Sequence, residues 1–265
     1  MASRELTAAI EAAHAAGAII RARYEGSYSV REKGRDSPVT EADTDADRRI
    51  QALIRGAFTH DGWLSEETRD SPERLGKARV WVVDPLDGTK EFIHHIPEFC
   101  VSIALVEHGV PVLGVCYNPI RDELFAAERG SGVTYNRTPV HVSDAGDLAT
   151  ARVLASRSEA ARGEWDAFQT SLQVELTGSV AYKLALIAAG RGDATFSLTP
   201  KNEWDICAGA GLITEAGGRI TNRYGDLLRF NQPDTRQPGI IASNGRLHAP
   251  IIELLRRHGK LGSAG

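Results

Sequence analysis

The sequence predicts an α/β fold (α+β in its arrangement), in which an antiparallel meander comes first and strands alternating with helices follow. Residues 99–125 show the period-two alternation of β-forming side chains that is typical of such a meander. After residue 150, short apolar strands alternate with helical segments, as in layered α/β proteins. The chain of 265 residues is long enough to bury a large core without disulfide bonds.

The first half begins with helices. Apolar residues recur at steps of four and three over residues 6–24, which predicts a helix that ends at Gly26. Residues 31–38 are polar and predict a loop, and residues 40–58 predict a second helix. Strands are then predicted at 80–83, 101–105, 111–116 and 123–126, with a hairpin turn at 130–132.

In the second half of the chain, strands are predicted to alternate with helices. Strands are predicted at 152–156, 174–176, 195–196 and 240–242, and helices at 162–172, 179–189, 204–216 and 247–257. No repeat, low-complexity segment or clear linker interrupts the chain. We therefore expect one domain over residues 1–265, with an antiparallel-sheet subdomain of about 1–145 and an alternating α/β subdomain of about 146–265.

Charge and cysteine content exclude several classes of protein. The net charge of −4 gives no electrostatic reason to bind a nucleic acid polymer or an anionic membrane. The cysteines, Cys100, Cys116 and Cys207, are too few and too widely spaced for a disulfide framework or a zinc ribbon. No apolar run approaches the ~20 residues of a membrane span. We expect a cytoplasmic protein without membrane association.

The densest chemical pattern is the segment Asp-Pro-Leu-Asp-Gly-Thr, which runs from Asp84 to Thr89. A strand end delivers Asp84, and Asp87 follows three residues later. Two carboxylates this close repel each other unless a cation lies between them, and hard oxygen ligands suit Mg²⁺. Gly88 lets the backbone approach a ligand closely, and Thr89 adds a hydroxyl. Taken alone, the pattern fits an incidental Asp-Gly turn equally well.

Three further acidic segments accompany this turn. Glu66 is followed by Glu67, Asp43 closes a possible capping box that starts at Thr40, and Asp205 follows a tryptophan. Each has an ordinary interpretation: a solvated charge, a capping residue and an acid at a helix N-terminus. Together, the four segments resemble the lithium-sensitive, Mg²⁺-dependent phosphomonoesterase superfamily of inositol monophosphatases, fructose-1,6-bisphosphatases and 3′(2′),5′-bisphosphate nucleotidases. The resemblance covers nearly the whole chain, including residues 37–43 and 204–218.

The resemblance implies a layered αβαβα sandwich and a set of metal ligands. One Mg²⁺ would be held by Glu66, Asp84 and the carbonyl of Leu86. A second Mg²⁺ would be held by Asp84, Asp87 and Asp205, so that Asp84 bridges the two ions. A third would lie near Glu66 through waters, which gives two to three ions per site.

The resemblance also implies roles in catalysis and phosphate binding. Thr89, hydrogen-bonded to Asp43, would orient the attacking water, so Asp43, Thr89 and Glu66 are the expected catalytic residues. The backbone N–H groups of Gly88 and Thr89 would bind the phosphate at the start of the following helix. The substrate is therefore expected to be a small phosphate ester, and a homodimer is compatible with the resemblance.

The residues after the turn favour one branch of the superfamily. Lys90 and Glu91 resemble the Asp-Gly-Thr-Lys-Glu segment of the bisphosphate nucleotidases (CysQ type), as does Gly178-Ser179 followed by Lys183. The expected substrate contacts are therefore Gly88, Thr89, Lys90, Gly178, Ser179, Lys183 and Asp205. The predicted reaction converts adenosine 3′,5′-bisphosphate to AMP and phosphate, because a second phosphate needs a cation such as Lys183.

Alternatives remain at this point. Lys183 also fits an ordinary surface lysine on an amphipathic helix. Residues 197–203 lack a match to the glutamate that reads inositol, which leaves the leaving-group pocket undefined, although Lys201 lies there. The enzyme alternative is an inositol-1-monophosphatase or another small polyol phosphatase. The alternative from a different class is a catalytically silent regulator that binds metal and phosphate, for which a missing ligand or a missing Thr89 would be expected.

Overall fold

Two stacked β-sheets, with helices on and between them, make up the computed structural model, which describes residues 2–34 and 37–261. The helices are α1 (Arg4–Glu25), α2 (Glu41–Ala57), α3 (Thr89–Ile93), α4 (Arg157–Ala161), α5 (Val180–Ala188), α6 (Glu203–Glu215) and α7 (His248–Arg257). The strands are β1 (Val30–Gly34), β2 (Ser37–Thr40), β3 (Gly62–Ser65), β4 (Arg79–Asp87), β5 (Cys100–Glu107), β6 (Val110–Asn118), β7 (Glu123–Glu128), β8 (Gly132–Tyr135), β9 (Thr138–Val140), β10 (Arg152–Ala155), β11 (Gln173–Leu176), β12 (Ala194–Ser197), β13 (Lys201–Asn202), β14 (Arg219–Asn222), β15 (Arg236–Gln237) and β16 (Ile240–Ser243).

The layers alternate between helices and sheets. Helices α1 and α2 cover one face of a seven-stranded sheet of order β3-β4-β5-β6-β7-β8-β9. Helices α5 and α6 lie on its other face, beneath a five-stranded sheet of order β11-β10-β12-β16-β14, and α7 packs on the outer face of that second sheet. This arrangement confirms the predicted αβαβα sandwich. Within the described ranges, no helix is long and apolar enough to cross a membrane.

The seven-stranded sheet is buried on both faces, and on β5 the two faces carry side chains of different size. On β5, Val101, Ile103 and Leu105 point into the core beneath α1 and α2, while Ala104 faces α6. Small residues on the α6 side allow close packing: a Cβ atom at Gly114 would lie 2.4 Å from the carbonyl oxygen of Ala208 on α6. In the middle of β5 and β6, large side chains therefore face α1 and α2, and small ones face α6.

Strand direction brings the acidic segments to one edge of this sheet. Strands β3 and β4 are parallel, and Ser65 pairs with Val83. Glu66 and Asp84, which follow these two residues, therefore lie side by side at this edge, and the backbone N–H of Glu66 donates to the carbonyl of Val83 at 3.2 Å.

The structure corrects two predicted elements and adds strands that the sequence analysis did not predict. The predicted loop at 31–38 contains strands, because β1 and β2 pair antiparallel, while residues 35–36 lie outside the described part. The helix predicted at 162–172 is wrong: α4 is capped by Ser156 and ends before Gly163, whose φ of +75° cannot continue a helix. A further group of short strands was not predicted: β3, β8, β9, β13, β14 and β15.

Candidate active site

A cleft of about 280 Å³ lies where the β3 and β4 chain ends meet the N-termini of α3, α5 and α6. Most of the predicted site residues line it: Glu66, Asp84, Leu86, Asp87, Gly88, Thr89, Lys90, Ser179, Lys183 and Asp205. Asp43 and Gly178 are not in this lining. Asp43 contacts Thr89 from behind, and Gly178 precedes Ser179 in a turn that is fixed by a hydrogen bond from its N–H to Glu98 Oε2 at 2.8 Å.

Three carboxylates form the centre of the cleft. Oxygen atoms of Asp84, Asp87 and Asp205 lie within 4.8 Å of one another. Burial raises the pKa of Asp84 well above its usual value, and the charges of Glu66, Asp87 and Asp205 raise it further. The pKa of Asp205 is raised by burial and by the charges of Asp87 and Glu66. The folded chain thus holds four acids together against their mutual repulsion.

Hydrogen bonds fix the orientation of each of these aspartates. The N–H of Leu86 donates to Asp84 Oδ1 at 2.9 Å, and the N–H of Asn202 donates to Asp205 Oδ2 at 3.0 Å in a capping box at the start of α6. Asp87 Oδ2 accepts from the Ser179 hydroxyl and from the N–H of Ala181 at 2.6 Å. Because the donor set is made only of oxygens and its orientation is fixed by hydrogen bonds within the chain, it fits hard divalent cations such as Mg²⁺.

Asp43 makes both of the contacts that the sequence predicts for it, one with Thr40 and one with Thr89. Its Oδ2 accepts from the N–H and the hydroxyl of Thr40, at 2.7 and 2.6 Å, which completes the capping box of α2. Its Oδ1 accepts from the hydroxyl of Thr89 at 2.8 Å. Burial raises the pKa of Asp43, although these hydrogen bonds oppose the increase. The capping carboxylate is therefore also the group that orients Thr89.

Gly88 occupies a position that other residues tolerate poorly. Its φ of +102° lies in the left-handed region, and a Cβ atom there would lie 2.9 Å from Cβ of Phe99. This conformation turns the chain sharply from Asp87 into α3, so that Thr89 faces the cleft.

Lys183 is not the surface lysine that one interpretation suggested. Its side chain is buried, and its Nζ donates to the carbonyls of Thr177 and Ser179 at 3.2 and 2.9 Å. Ser179 has a φ of +57°, so the lysine stabilises a strained turn. The hydroxyl of Ser179 in this turn donates to Asp87. Burial lowers the pKa of Lys183, while the charges of Glu159 and Asp87 act against this. Lys183 lines the cleft, and two of the three N–H groups of its ammonium donate to the backbone.

Sequence reasoning missed several residues that build this site. Asp47 on α2 accepts from the hydroxyls of Ser65 and Thr68, at 2.5 and 2.8 Å, and so fixes both sides of Glu66. Glu159 on α4 forms a buried ion pair with Lys201 at the cleft wall. No sequence pattern marks Asp47 or Glu159, because only the fold brings α2 and α4 to the cleft.

Comparisons with known proteins match nearly the whole chain. The model of the inositol monophosphatase family matches residues 2–260. An inositol-1-monophosphatase of Caulobacter vibrioides is 37% identical over 86% of this chain and 90% of its own. An inositol monophosphatase of Mesembryanthemum crystallinum is 32% identical over 95% of this chain and 96% of its own. The crystal structure of the extragenic suppressor protein suhB from Bartonella henselae has a TM-score of 0.84 at 32% identity, covering 96% of this chain and 99% of that one.

These similarities extend far beyond the acidic motifs. They cover both sheets and every helix that contributes to the cleft, so the resemblance seen in the motifs holds for the fold as a whole. The chain therefore belongs to the inositol monophosphatase family, a family of phosphatases.

Proposed function

We propose that this protein hydrolyses a small polyol phosphate, with myo-inositol 1-phosphate as the preferred representative, in a Mg²⁺-dependent reaction. The observation that carries the proposal is the cluster of Asp84, Asp87 and Asp205, whose oxygens lie within 4.8 Å of one another in the cleft that Thr89 also lines. The names of the relatives, inositol monophosphatase and inositol-1-monophosphatase, support the choice of substrate.

The ligand set predicted from the sequence fits two to three Mg²⁺ ions. Glu66, Asp84, Asp87 and Asp205, together with the carbonyl of Leu86, would hold them, because all five residues line the same cleft. When bound, Mg²⁺ lowers the pKa of a water molecule and stabilises negative charge on the phosphoryl and leaving-group oxygens. The carboxylates, whose pKa values are raised by burial and by each other, become favourably placed once such a charge is present.

Side-chain and backbone groups of the turn that contains Gly88 and Thr89 orient the attacking water and the phosphate. The Thr89 hydroxyl donates its proton to Asp43 at 2.8 Å, so its oxygen lone pairs remain available to accept from a water in the cleft. That water is then held with a lone pair directed towards the phosphorus atom, in the manner of an in-line displacement. The N–H groups of Gly88 and Thr89 bind the phosphate oxygens, and no covalent phospho-enzyme is required.

A second candidate substrate is adenosine 3′,5′-bisphosphate. Lys90, Lys183 and Lys201 all line the cleft, and a second phosphate is recognised by such cations. The argument from Lys183 is weaker than the sequence alone suggested, because its Nζ donates to two backbone carbonyls. The relatives also favour the polyol phosphate.

Phosphate release from a matched panel tests the proposal: myo-inositol 1-phosphate, adenosine 3′,5′-bisphosphate, fructose 1,6-bisphosphate and AMP, each with Mg²⁺. We expect kcat/KM for inositol 1-phosphate to exceed the others at least about tenfold, a preference of ~1.4 kcal/mol in the transition state. Asp87→Asn is the control, since it keeps a side chain of the same shape and should abolish turnover. A preference for the bisphosphate would select the second candidate, and no release from any ester would favour the silent regulator. Inhibition by lithium is expected for the family.

A further inference from the structure

A buried ion pair lies in the cleft wall, outside the predicted metal ligands. Lys201 Nζ lies 2.9 Å from Glu159 Oε1 and donates to the Thr199 hydroxyl at 3.1 Å. The Lys201 side chain is 14% exposed and that of Glu159 only 3%. An ion pair this well covered is firmly held, because removing either partner leaves the other charge buried and uncompensated.

Glu159 is fully engaged in holding this arrangement. Its Oε1 accepts from the hydroxyls of Ser197 and Thr199, at 2.5 and 3.1 Å, and its Oε2 accepts from Trp165 Nε1 at 3.3 Å. The Trp165 ring stacks on Phe196 with centroids 4.3 Å apart, which fixes the indole. Glu159 is therefore a rigid anchor, buried away from anything that enters the cleft.

Lys201 has donor capacity left over for a ligand. An ammonium group carries three N–H donors, and the structure accounts for two of them, to Glu159 and Thr199. The lysine lines the cleft beside Ser158 and Asn202, and its charge acts on Asp87 and Asp205. It is thus close to the reacting centre without being a ligand of it.

We propose that Lys201 determines specificity for the leaving group, by donating its remaining N–H to a hydroxyl oxygen of the departing alcohol other than the ester oxygen. Glu159 is the positioning residue that holds the ammonium group in place. The ligand class is an oxygen-rich leaving group, a polyol or a sugar, as opposed to an aryl or alkyl alcohol that has no further hydroxyl group. This inference rests on the proposed phosphatase function.

The test compares myo-inositol 1-phosphate with phenyl phosphate, which has the same phosphoryl group but no acceptor in its ring. In Lys201→Met we expect the ratio of kcat/KM values, inositol phosphate over phenyl phosphate, to fall at least about tenfold, mainly through KM. Lys201→Arg keeps the charge and the donors and should recover most of this ratio. Lys77→Met removes an exposed lysine outside the cleft and should leave the ratio unchanged.

A double variant separates recognition from folding. Lys201→Met leaves the charge of Glu159 buried and unpaired, which lowers Tm, whereas Lys201→Met with Glu159→Gln restores neutrality. We expect the double variant to recover Tm and still lack the preference for inositol phosphate. An equal loss on both esters, or a wild-type ratio in the double variant, would overturn the role of Lys201. No phosphate release from any ester by the wild type would instead overturn the proposed function, and this inference with it.

Discussion

Replacing Lys183 by methionine removes an ammonium group whose hydrogen bonds stabilise the turn next to Asp87. Its Nζ donates to the carbonyls of Thr177 and Ser179, and the hydroxyl of Ser179 donates in turn to Asp87. Methionine has a similar length and keeps the packing of α5, but it has no donor. The substitution should therefore loosen the turn around Ser179 and, through it, the orientation of Asp87.

The magnitude follows from the contacts. Hydrogen bonds from a charged donor contribute about 1.5–3 kcal/mol each, but the lysine is buried and its own desolvation offsets part of this. The carbonyl of Ser179 also keeps its bond from the Lys183 backbone N–H at 3.4 Å. We expect the free energy of unfolding to fall by about 2 kcal/mol. We expect kcat to fall about tenfold or more for every phosphate ester.

Urea denaturation measures the first quantity, and phosphate release from inositol 1-phosphate and adenosine 3′,5′-bisphosphate measures the second. Lys77→Met, an exposed lysine outside the cleft, is the matched control and should change neither. If the unfolding free energy of Lys183→Met stays within about 0.5 kcal/mol of the wild type and only KM for the bisphosphate rises, the lysine reads a second phosphate and the reasoning is refuted.

Three further predictions concern the turn, the acidic cluster and the second sheet. Gly88→Ala places an alanine in the left-handed backbone conformation and brings its Cβ against Phe99, so the free energy of unfolding in urea denaturation should fall by about 2–4 kcal/mol. A decrease below about 1 kcal/mol would contradict the inferred strain at Gly88. Asp84→Asn removes the repulsion between Asp84 and the neighbouring acids, so the Tm of the variant without divalent cations should exceed that of the wild type. Millimolar Mg²⁺ should raise the Tm of the wild type only. An equal increase in Tm with Mg²⁺ in both proteins would count against the metal assignment. Burial and the charge of Arg219 lower the pKa of His248 to about 4. As the pH falls, this histidine is therefore protonated in the unfolded chain at a higher pH than in the folded chain. Stability that is present above pH ~6.5 should therefore decrease by roughly 2 kcal/mol between pH 6.5 and 4, and His248→Gln should flatten this dependence of the unfolding free energy on pH.

The parts of the fold that the sequence predicted well are those in which local pattern and tertiary environment agree. Val101, Ile103 and Leu105 face α1 and α2 and alternate with smaller residues on the α6 side, so the pattern marks the strand and its register together. The hairpin of β1 and β2 lacks such a pattern, since most of its described side chains up to Gly34 are exposed, and it was predicted as a loop.

The same distinction applies to the site. Asp84, Asp87 and Thr89 lie within six residues, so the turn that brings them together is visible in the sequence. The contact between Thr89 and Asp43 spans 46 residues and was reached only through family resemblance. Glu159 and Lys201 meet through the second sheet, 42 residues apart, and no local pattern records that contact. The burial of Lys183 could not be predicted from the sequence for a similar reason. Burial depends on which elements pack around the side chain, and the local sequence does not contain this information.

The most direct test of the central claim is the initial rate of phosphate release from myo-inositol 1-phosphate, measured for the wild type and Asp84→Asn with Mg²⁺ and with a chelator. We predict turnover by the wild type that requires Mg²⁺, and a loss of at least about 100-fold in the variant at an unchanged or higher Tm. Turnover that persists in the chelator, or a variant as active as the wild type, would contradict the assignment of Asp84, Asp87 and Asp205 as the metal centre.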